Sequence, residues 1–402
     1  MLGCDAGADL IPFCAAWPDS AVIGIDIDAE AIGRGQALIE RSGINNVQLY
    51  CLQLDEILSA SPGEQDYIIL QGMFSLLDNG SREGVLAWCR QHLSPNGLIA
   101  IQWPCYPGAR SEETLRDAML LHSSLASSEE EKINSARAAA TWLSLGMTDD
   151  NPLRNSLQHS LAGIETQTDT ALSLKYLSGI NEAAYLVDFN AMVERNGLVY
   201  VGDAEPWQEV PLFHGNAVNQ MHKTISPGAN KIIRQQYLDF AVNRQQRFSL
   251  LMGEQHQADV LPLPDKEQFK ALNWAGNFQR LFQNNAPQNA VISPDGALVS
   301  TDHALTLRIL DLMGEVWPLS LSYEQIVLHT TLPEEKSDSH ASEVLKVLWS
   351  LFLKGSQSLL WSYGPCPYSA SKNNKLMVIP GLAALSDPAQ DVRLCYNFWH
   401  LP

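Results

Sequence analysis

Apolar and polar positions follow two rhythms along this chain. Up to about residue 105, short β-branched apolar runs are separated by amphipathic stretches. Ala21-Val22-Ile23-Gly24-Ile25-Asp26 has the continuous apolar character of a buried strand. Ala29 to Ser42 places Ile32, Leu38 and Ile39 near one face of a helix. Asn46 to Leu52, Asp66 to Gln71 and Leu98 to Trp103 predict further strands. Arg82 to His92 predicts a helix closed by the turn Ser94-Pro95-Asn96-Gly97. Strands alternating with helices at this rhythm imply right-handed βαβ units and a parallel sheet, an α/β fold of Rossmann-like type.

From about Ser111 to Gly202 the strand rhythm stops. Leu115 to Leu125, Ser128 to Leu145 and Asn181 to Asn196 predict helices. Residues 206 to 227 have the Gly, Pro and Asn content of a connection, and Lys231 to Gln245 predicts another helix. A break at Ala286-Pro287-Gln288-Asn289 precedes helices at His303 to Met313 and Ser342 to Leu353 and a short strand at Lys375 to Ile379. The expected domains are a Rossmann-like domain at 1–108, a helical domain at 109–205 and a linker with a helical segment at 206–285. A small α/β or winged-helix-like domain is expected at 286–402.

A chain of 402 residues can hold two or three cores. With 26 basic and 45 acidic residues its net charge is −19. That field repels nucleic acid and anionic lipid and attracts a basic target such as a lysine-bearing protein. It also serves solubility. The seven cysteines are scattered and odd in number, which argues for reduced thiols in a cytoplasm rather than a disulfide framework. No metal site is expected. There is no CxxC spacing, and His122, His159, His214 and His222 have no partners at ligand spacing. No apolar run approaches the roughly 18 residues that span a bilayer, and no signal peptide is visible. Glu129-Glu130-Glu131-Lys132 is expected to start a solvated helix.

Leu2-Gly3-Cys4-Asp5-Ala6-Gly7-Ala8 lies where a strand would pass into a helix. Small residues there let the backbone approach a bulky cofactor. Asp26 closes the next strand about twenty residues on, where an acid accepts hydrogen bonds from ribose hydroxyls. This spacing fits a dinucleotide or S-adenosylmethionine. Leu93-Ser94-Pro95-Asn96-Gly97-Leu98 favours the second, since it is similar to the "L-x-P-G-G" turn of class I methyltransferases.

With these pieces in order, the chain resembles a bacterial family of protein lysine methyltransferases with a methyltransferase regulatory domain, a group that includes rickettsial enzymes acting on outer-membrane proteins. Residues 2–12 resemble the family's "LGCGxGGNLIP", Gly24-Ile25-Asp26 its "GID", and Tyr106-Pro107-Gly108 its "YPGW". Asp188-Phe189 and residues 197–204 resemble "DF…GLxYLGEA", and residues 236–251 resemble "EQYLDFxxNRxFRxTLL". The resemblance covers about residues 1–252. It implies methyl transfer from S-adenosyl-L-methionine to lysine amines of a protein partner, an outer-membrane protein precursor being one such partner. The cofactor-binding candidates are Gly3, Cys4, Asp5, Gly7, Asp26, Ile27, Gln53 and Gln71. Phe74, Trp103 and Tyr106 are substrate candidates, with Met73 beside them, and Tyr106 and Gln71 are the catalytic candidates. Phe74 and Trp103 equally suit plain core packing.

The sequence departs from the family in places. Met1 falls inside the first motif, so the first strand is expected to be largely missing, leaving unpaired edges and a chain that aggregates. Asp5 replaces a glycine, Gln71 a histidine and Ala109 a tryptophan, and Gln53 stands where an acid often binds adenine. These departures keep a second reading open, a degenerate methyltransferase fold that binds or regulates a partner. A nicotinamide-dependent oxidoreductase is a third, disfavoured by the missing third glycine.

Overall fold

The computed structural model describes residues 1–366 apart from 226–227, 284–285, 294–295, 297, 334–336 and 355–357. The chain divides into two compact units. One comprises Met1–Gly3 and Leu52–Val260, the other Cys4–Cys51 and Leu261–Pro402.

The first unit is built on a four-stranded sheet in the order Gln65–Leu70, Leu93–Pro104, Gln246–Gly253, Leu198–Asp203. The first two strands are parallel and the other pairings antiparallel. Leu2 adds a parallel bridge beside Leu70. Its N–H donates to the Ile69 carbonyl at 2.7 Å, and its carbonyl accepts from the Gln71 N–H at 3.1 Å. Helix Asn79–His92 links the parallel strands. Asp78 caps it by accepting the Ser81 N–H at 2.8 Å, and Arg90 and His92 lie in the last turn, where cations suit the helix dipole. Beyond the sheet, helices Ala109–Ser123, Glu129–Gly146 and Leu153–Ile164 share a core of Leu115, Met119, Ala136, Ala140 and Leu157. The acidic run fills the first turn of Glu129–Gly146, where carboxylates face the positive end of the dipole.

The structure differs from the sequence expectation at three places here. The stretch Ser94–Gly97 is no separate turn but part of the strand Leu93–Pro104. Gly97 fits because the strands approach closely there: a Cβ on it would stand 3.0 Å from the Gln65 carbonyl oxygen. The strands Leu198–Asp203 and Gln246–Gly253 arise in regions read as helical or linking. The second hides its alternation because a charged residue, Arg247, occupies the buried face alongside Ser249 and Leu251.

Burial of that arginine requires an answering set of charges. Arg247 donates to both Asp239 oxygens, from Nε at 2.9 Å and from Nη2 at 2.7 Å, and from Nη1 to the Tyr200 hydroxyl at 2.9 Å. Glu209 stands 3.5 Å and Asp203 3.9 Å from the guanidinium. Arg244 pairs with Asp239 at 2.7 Å and Lys231 with Glu209 at 3.2 Å. Burial pulls the Arg247 pKa down, but Tyr200, Asp239 and Glu209 outweigh it and hold the group charged. Burial pushes Asp203 up to about 6, against the N–H of Glu205 and the charge of Arg247.

In the second unit, strands Val22–Asp26 and Val47–Cys51 pair in parallel, flanked by helices Leu10–Ala16 and Ala29–Ser42. Its C-terminal part gathers helices Ala304–Val316, Tyr323–Thr330 and Ser337–Lys354 around Trp274, with a three-stranded sheet of Leu321–Ser322, Asn273–Gly276 and Leu359–Ser362. A second small sheet holds Gln279–Gln283, Ala286–Ile292 and Leu298–Ser300, so the expected break at 286–289 opens a strand. The expected strand at 375–379 lies outside the described residues. Among the described residues no helix is long and apolar enough to cross a membrane.

Two outcomes follow from the ion cluster. Arg247→Ala removes the bidentate partner of buried Asp239 and one of the two cations beside Glu209, and lowers unfolding stability by about 3–5 kcal/mol in urea titration; a loss within about 0.5 kcal/mol contradicts the assignment. Asp203, raised in the folded state, binds its proton more tightly there than when unfolded. Stability therefore falls by about 3 kcal/mol as pH rises from about 4 to above 6. Asp203→Asn removes this component of the slope, which stability measurements across that range resolve.

Candidate functional site

Val22–Asp26 ends on a carboxylate that both neighbouring turns address. The Asp5 N–H donates to Asp26 Oδ2 at 2.8 Å and the Asp28 N–H to Oδ1 at 3.0 Å. Asp28 in turn caps helix Ala29–Ser42 by accepting from Glu30 and Ala31. The loop below Asp26 has Asp5 at φ 47° and Gly7 at φ 77°. Asp5 thus adopts a left-handed conformation, which aspartate tolerates better than most residues. Cys4 is buried against Gly24, and burial followed by Asp26 pushes its thiol up to about 12. Only its backbone is offered outward. A Cβ on Gly35 would stand 2.4 Å from the Ala6 carbonyl oxygen, so this glycine lets the helix close on the loop. Ile27, just past the acid, is 49% exposed. Cys4, Asp5, Gly7, Asp26 and Ile27 are therefore brought together within one unit.

The remaining candidates belong to the other unit. Gly3 has φ 77°, and a Cβ there would fall 2.2 Å from the Gln71 carbonyl oxygen. Gln71 follows the strand Gln65–Leu70. Gln53 precedes helix Leu54–Ser59, and its N–H donates to Glu56 at 2.7 Å. Met73 leads into the short 3-10 turn Phe74–Leu76.

Phe74, Trp103 and Tyr106 border one cavity of about 190 Å3, together with Arg82, Tyr185, Asp188 and Phe189. Phe74 and Trp103 are also core. Trp103 stacks on Phe189 at 4.3 Å, Phe74 meets the same ring edge-on at 5.8 Å, and the Trp103 indole donates to Ser249 at 2.9 Å. Tyr106 is held through the backbone. Its N–H donates to the Ala184 carbonyl, while the N–H groups of Cys105 and Gly108 donate to the carbonyls of Gln245 and Arg244, all at 2.9 Å. A Cβ on Gly108 would lie 2.4 Å from the Asn243 carbonyl oxygen, which accounts for the glycine after Pro107. The Tyr106 hydroxyl donates to Glu113, the Arg110 guanidinium covers its ring at 4.3 Å, and the Tyr185 ring lies 5.1 Å away. Burial, then Glu113, pushes the phenol up to about 12.

Sequence reading missed Arg82, Glu113, Glu182 and Tyr185. Arg82 is buried and donates to the carbonyls of Phe74 and Ser75 at 3.0 Å and Glu182 at 3.2 Å, tying two segments of the cavity wall. An arginine on a helix gives no signal for such a role. Asp188, quoted only within a motif, sits in the first turn of helix Leu186–Arg195 and borders the cavity.

Residues 1–97 match a methyltransferase domain and residues 168–252 a predicted methyltransferase regulatory domain. The chain is similar to RP789 of Rickettsia prowazekii (strain Madrid E), 25% identical over 371 residues, covering 89% of this chain and 66% of that one. RP028 of the same organism is 27% identical over 189 residues, 47% of this chain and 75% of its own. The fold is similar to PKMT2 from Rickettsia typhi in complex with AdoHcy, with TM-score 0.71 and 23% identity over 90% of this chain and 70% of that one. The chain thus spans about two thirds of RP789 and a little more of PKMT2. It carries a methyltransferase domain followed by a methyltransferase regulatory domain, in a fold like that of PKMT2.

Proposed function

We propose that the chain transfers the methyl group of S-adenosyl-L-methionine to the side-chain amine of lysine in a protein substrate. The observation that carries the reading is Asp26. Its carboxylate ends a parallel strand, is oriented by two backbone N–H groups, and is flanked by the left-handed loop and the exposed Ile27. That set suits a ribose on the acid and an adenine on the isoleucine. When bound, the cofactor supplies an electrophilic methyl on a sulfonium.

The amine must arrive neutral and aligned. Tyr106, protonated at neutral pH and donating to Glu113, keeps oxygen lone pairs free to accept an amine N–H. The Tyr185 ring attracts the ammonium before it loses its proton, and Asp188 and Glu182, the latter paired with Arg82 at 3.6 Å, border the same cavity. The ammonium gives one proton to water on the way in, so that the neutral amine would displace the methyl from the sulfonium and leave as a methylammonium. The protein substrate has exposed lysines; the family resemblance makes an outer-membrane protein precursor the class to try first. The reduced thiols fit a cytoplasmic site of action. Asp5 in its left-handed conformation supports catalysis over the degenerate reading, because the loop survives the loss of its glycine.

The test uses S-adenosylmethionine carrying a labelled methyl group and a lysine-bearing protein, followed by hydrolysis and amino-acid analysis. Methyllysine is expected. Asp26→Ala, which removes two hydrogen bonds to a charged acceptor, should weaken cofactor binding about 100-fold. Label absent from lysine, or undiminished binding by Asp26→Ala, rejects the proposal.

A further inference from the structure

We propose that one face of helix Lys231–Val242 is the docking surface for the substrate segment beside the target lysine. The inference rests on reading the Tyr106 cavity as the lysine entrance. Tyr185 lines that cavity, and its ring lies 5.1 Å from Tyr106 and 5.6 Å from Phe240. Aromatic surface therefore runs without a gap from the cavity onto the helix. There, Phe240 is 52% exposed, Tyr237 39% and Ile233 39%. These positions are spaced i, i+4 and i+7, so they share a single face. The helix's structural obligations lie elsewhere, on the side that buries Gln235, Leu238 and Asp239. Three large apolar side chains in one exposed row are not required by the fold.

Continuity with the cavity identifies the occupant. A chain that brings a lysine to the cavity past Tyr185 runs over Phe240, whose ring lies 5.6 Å from that of Tyr185. Seven residues of helix span about 10 Å, the length of about three residues of extended chain. Alternate side chains of an extended segment point the same way. The row is thus matched by a segment with apolar side chains at the second and fourth positions from the lysine. Asp188 beside the cavity and the net charge of −19 favour a segment that is otherwise basic or neutral.

The experiment compares two labelled peptides, each with one central lysine. One has leucine at the second and fourth positions on both sides, the other serine. Anisotropy reads binding and mass spectrometry reads methylation with S-adenosylmethionine present. The full chain should bind the leucine peptide about tenfold more tightly. Tyr237→Ser with Ile233→Ser, both away from the cavity, should abolish the difference, raise KM about tenfold for the leucine peptide and leave cofactor affinity unmoved. Ile233→Ser alone, folded by its melting curve, should give an intermediate value. Equal binding of the two peptides by the unsubstituted chain overturns the inference. So does a preference that survives both substitutions, or a row that proves to be buried between two copies that peptide cannot displace. Row-dependent binding without methylation upholds the docking surface and overturns the proposed function instead.

Discussion

A guanidinium with no access to water sets the terms for the sheet-bearing unit. Arg247 cannot stay charged in the interior without Asp239, and that pairing fixes helix Lys231–Val242 against strand Gln246–Gly253. Tyr200 and Glu209 join from the neighbouring strand and the turn after it. The effect reaches the cavity. Arg247 lies opposite Trp103 in the sheet, and the carbonyls of Arg244 and Gln245 hold the segment that carries Tyr106. The regulatory domain is therefore physically part of the cavity it adjoins. Its residues Tyr185, Asp188 and Phe189 line the cavity, and helix Lys231–Val242 carries the exposed row.

The loop of residues 4–8 obeys a different constraint. Asp26 binds the N–H groups of Asp5 and Asp28, so one carboxylate organises the turn before the first helix and the turn before the second. The close approaches at Gly35 and Gly24 let the loop lie flat on helix and strand. Aspartate at position 5 retains the turn because its φ stays positive. The departures that remain, Gln53 and Gln71, change side-chain chemistry rather than backbone path.

Legibility in the sequence followed burial and periodicity. Val22–Asp26 and Ala29–Ser42 were readable because continuous apolar runs and helical spacing are unambiguous there. The strand Gln246–Gly253 was not, since its buried face carries Arg247 and Ser249 and so lacks the expected apolar alternation. Leu198–Asp203 was short and followed a helix directly through Gly197. Of the site, Asp26 and the loop were legible because their chemistry depends on local spacing. Tyr185, Glu113 and Arg82 were not, because their roles depend on tertiary contacts: Tyr185 and Arg82 meet segments far away in sequence, and Glu113 is one turn of helix from nothing recognisable until Tyr106 folds onto it.

The sheet-bearing unit and the regulatory segment within it share a buried electrostatic core. The central claim is that the Asp26 carboxylate is a ribose acceptor. Co-crystallisation of the chain with AdoHcy tests it most directly. The account predicts both ribose hydroxyls within hydrogen-bond distance of Asp26, with the adenine against Ile27. A ligand bound elsewhere, with Asp26 contacting only the N–H groups of Asp5 and Asp28, would contradict it.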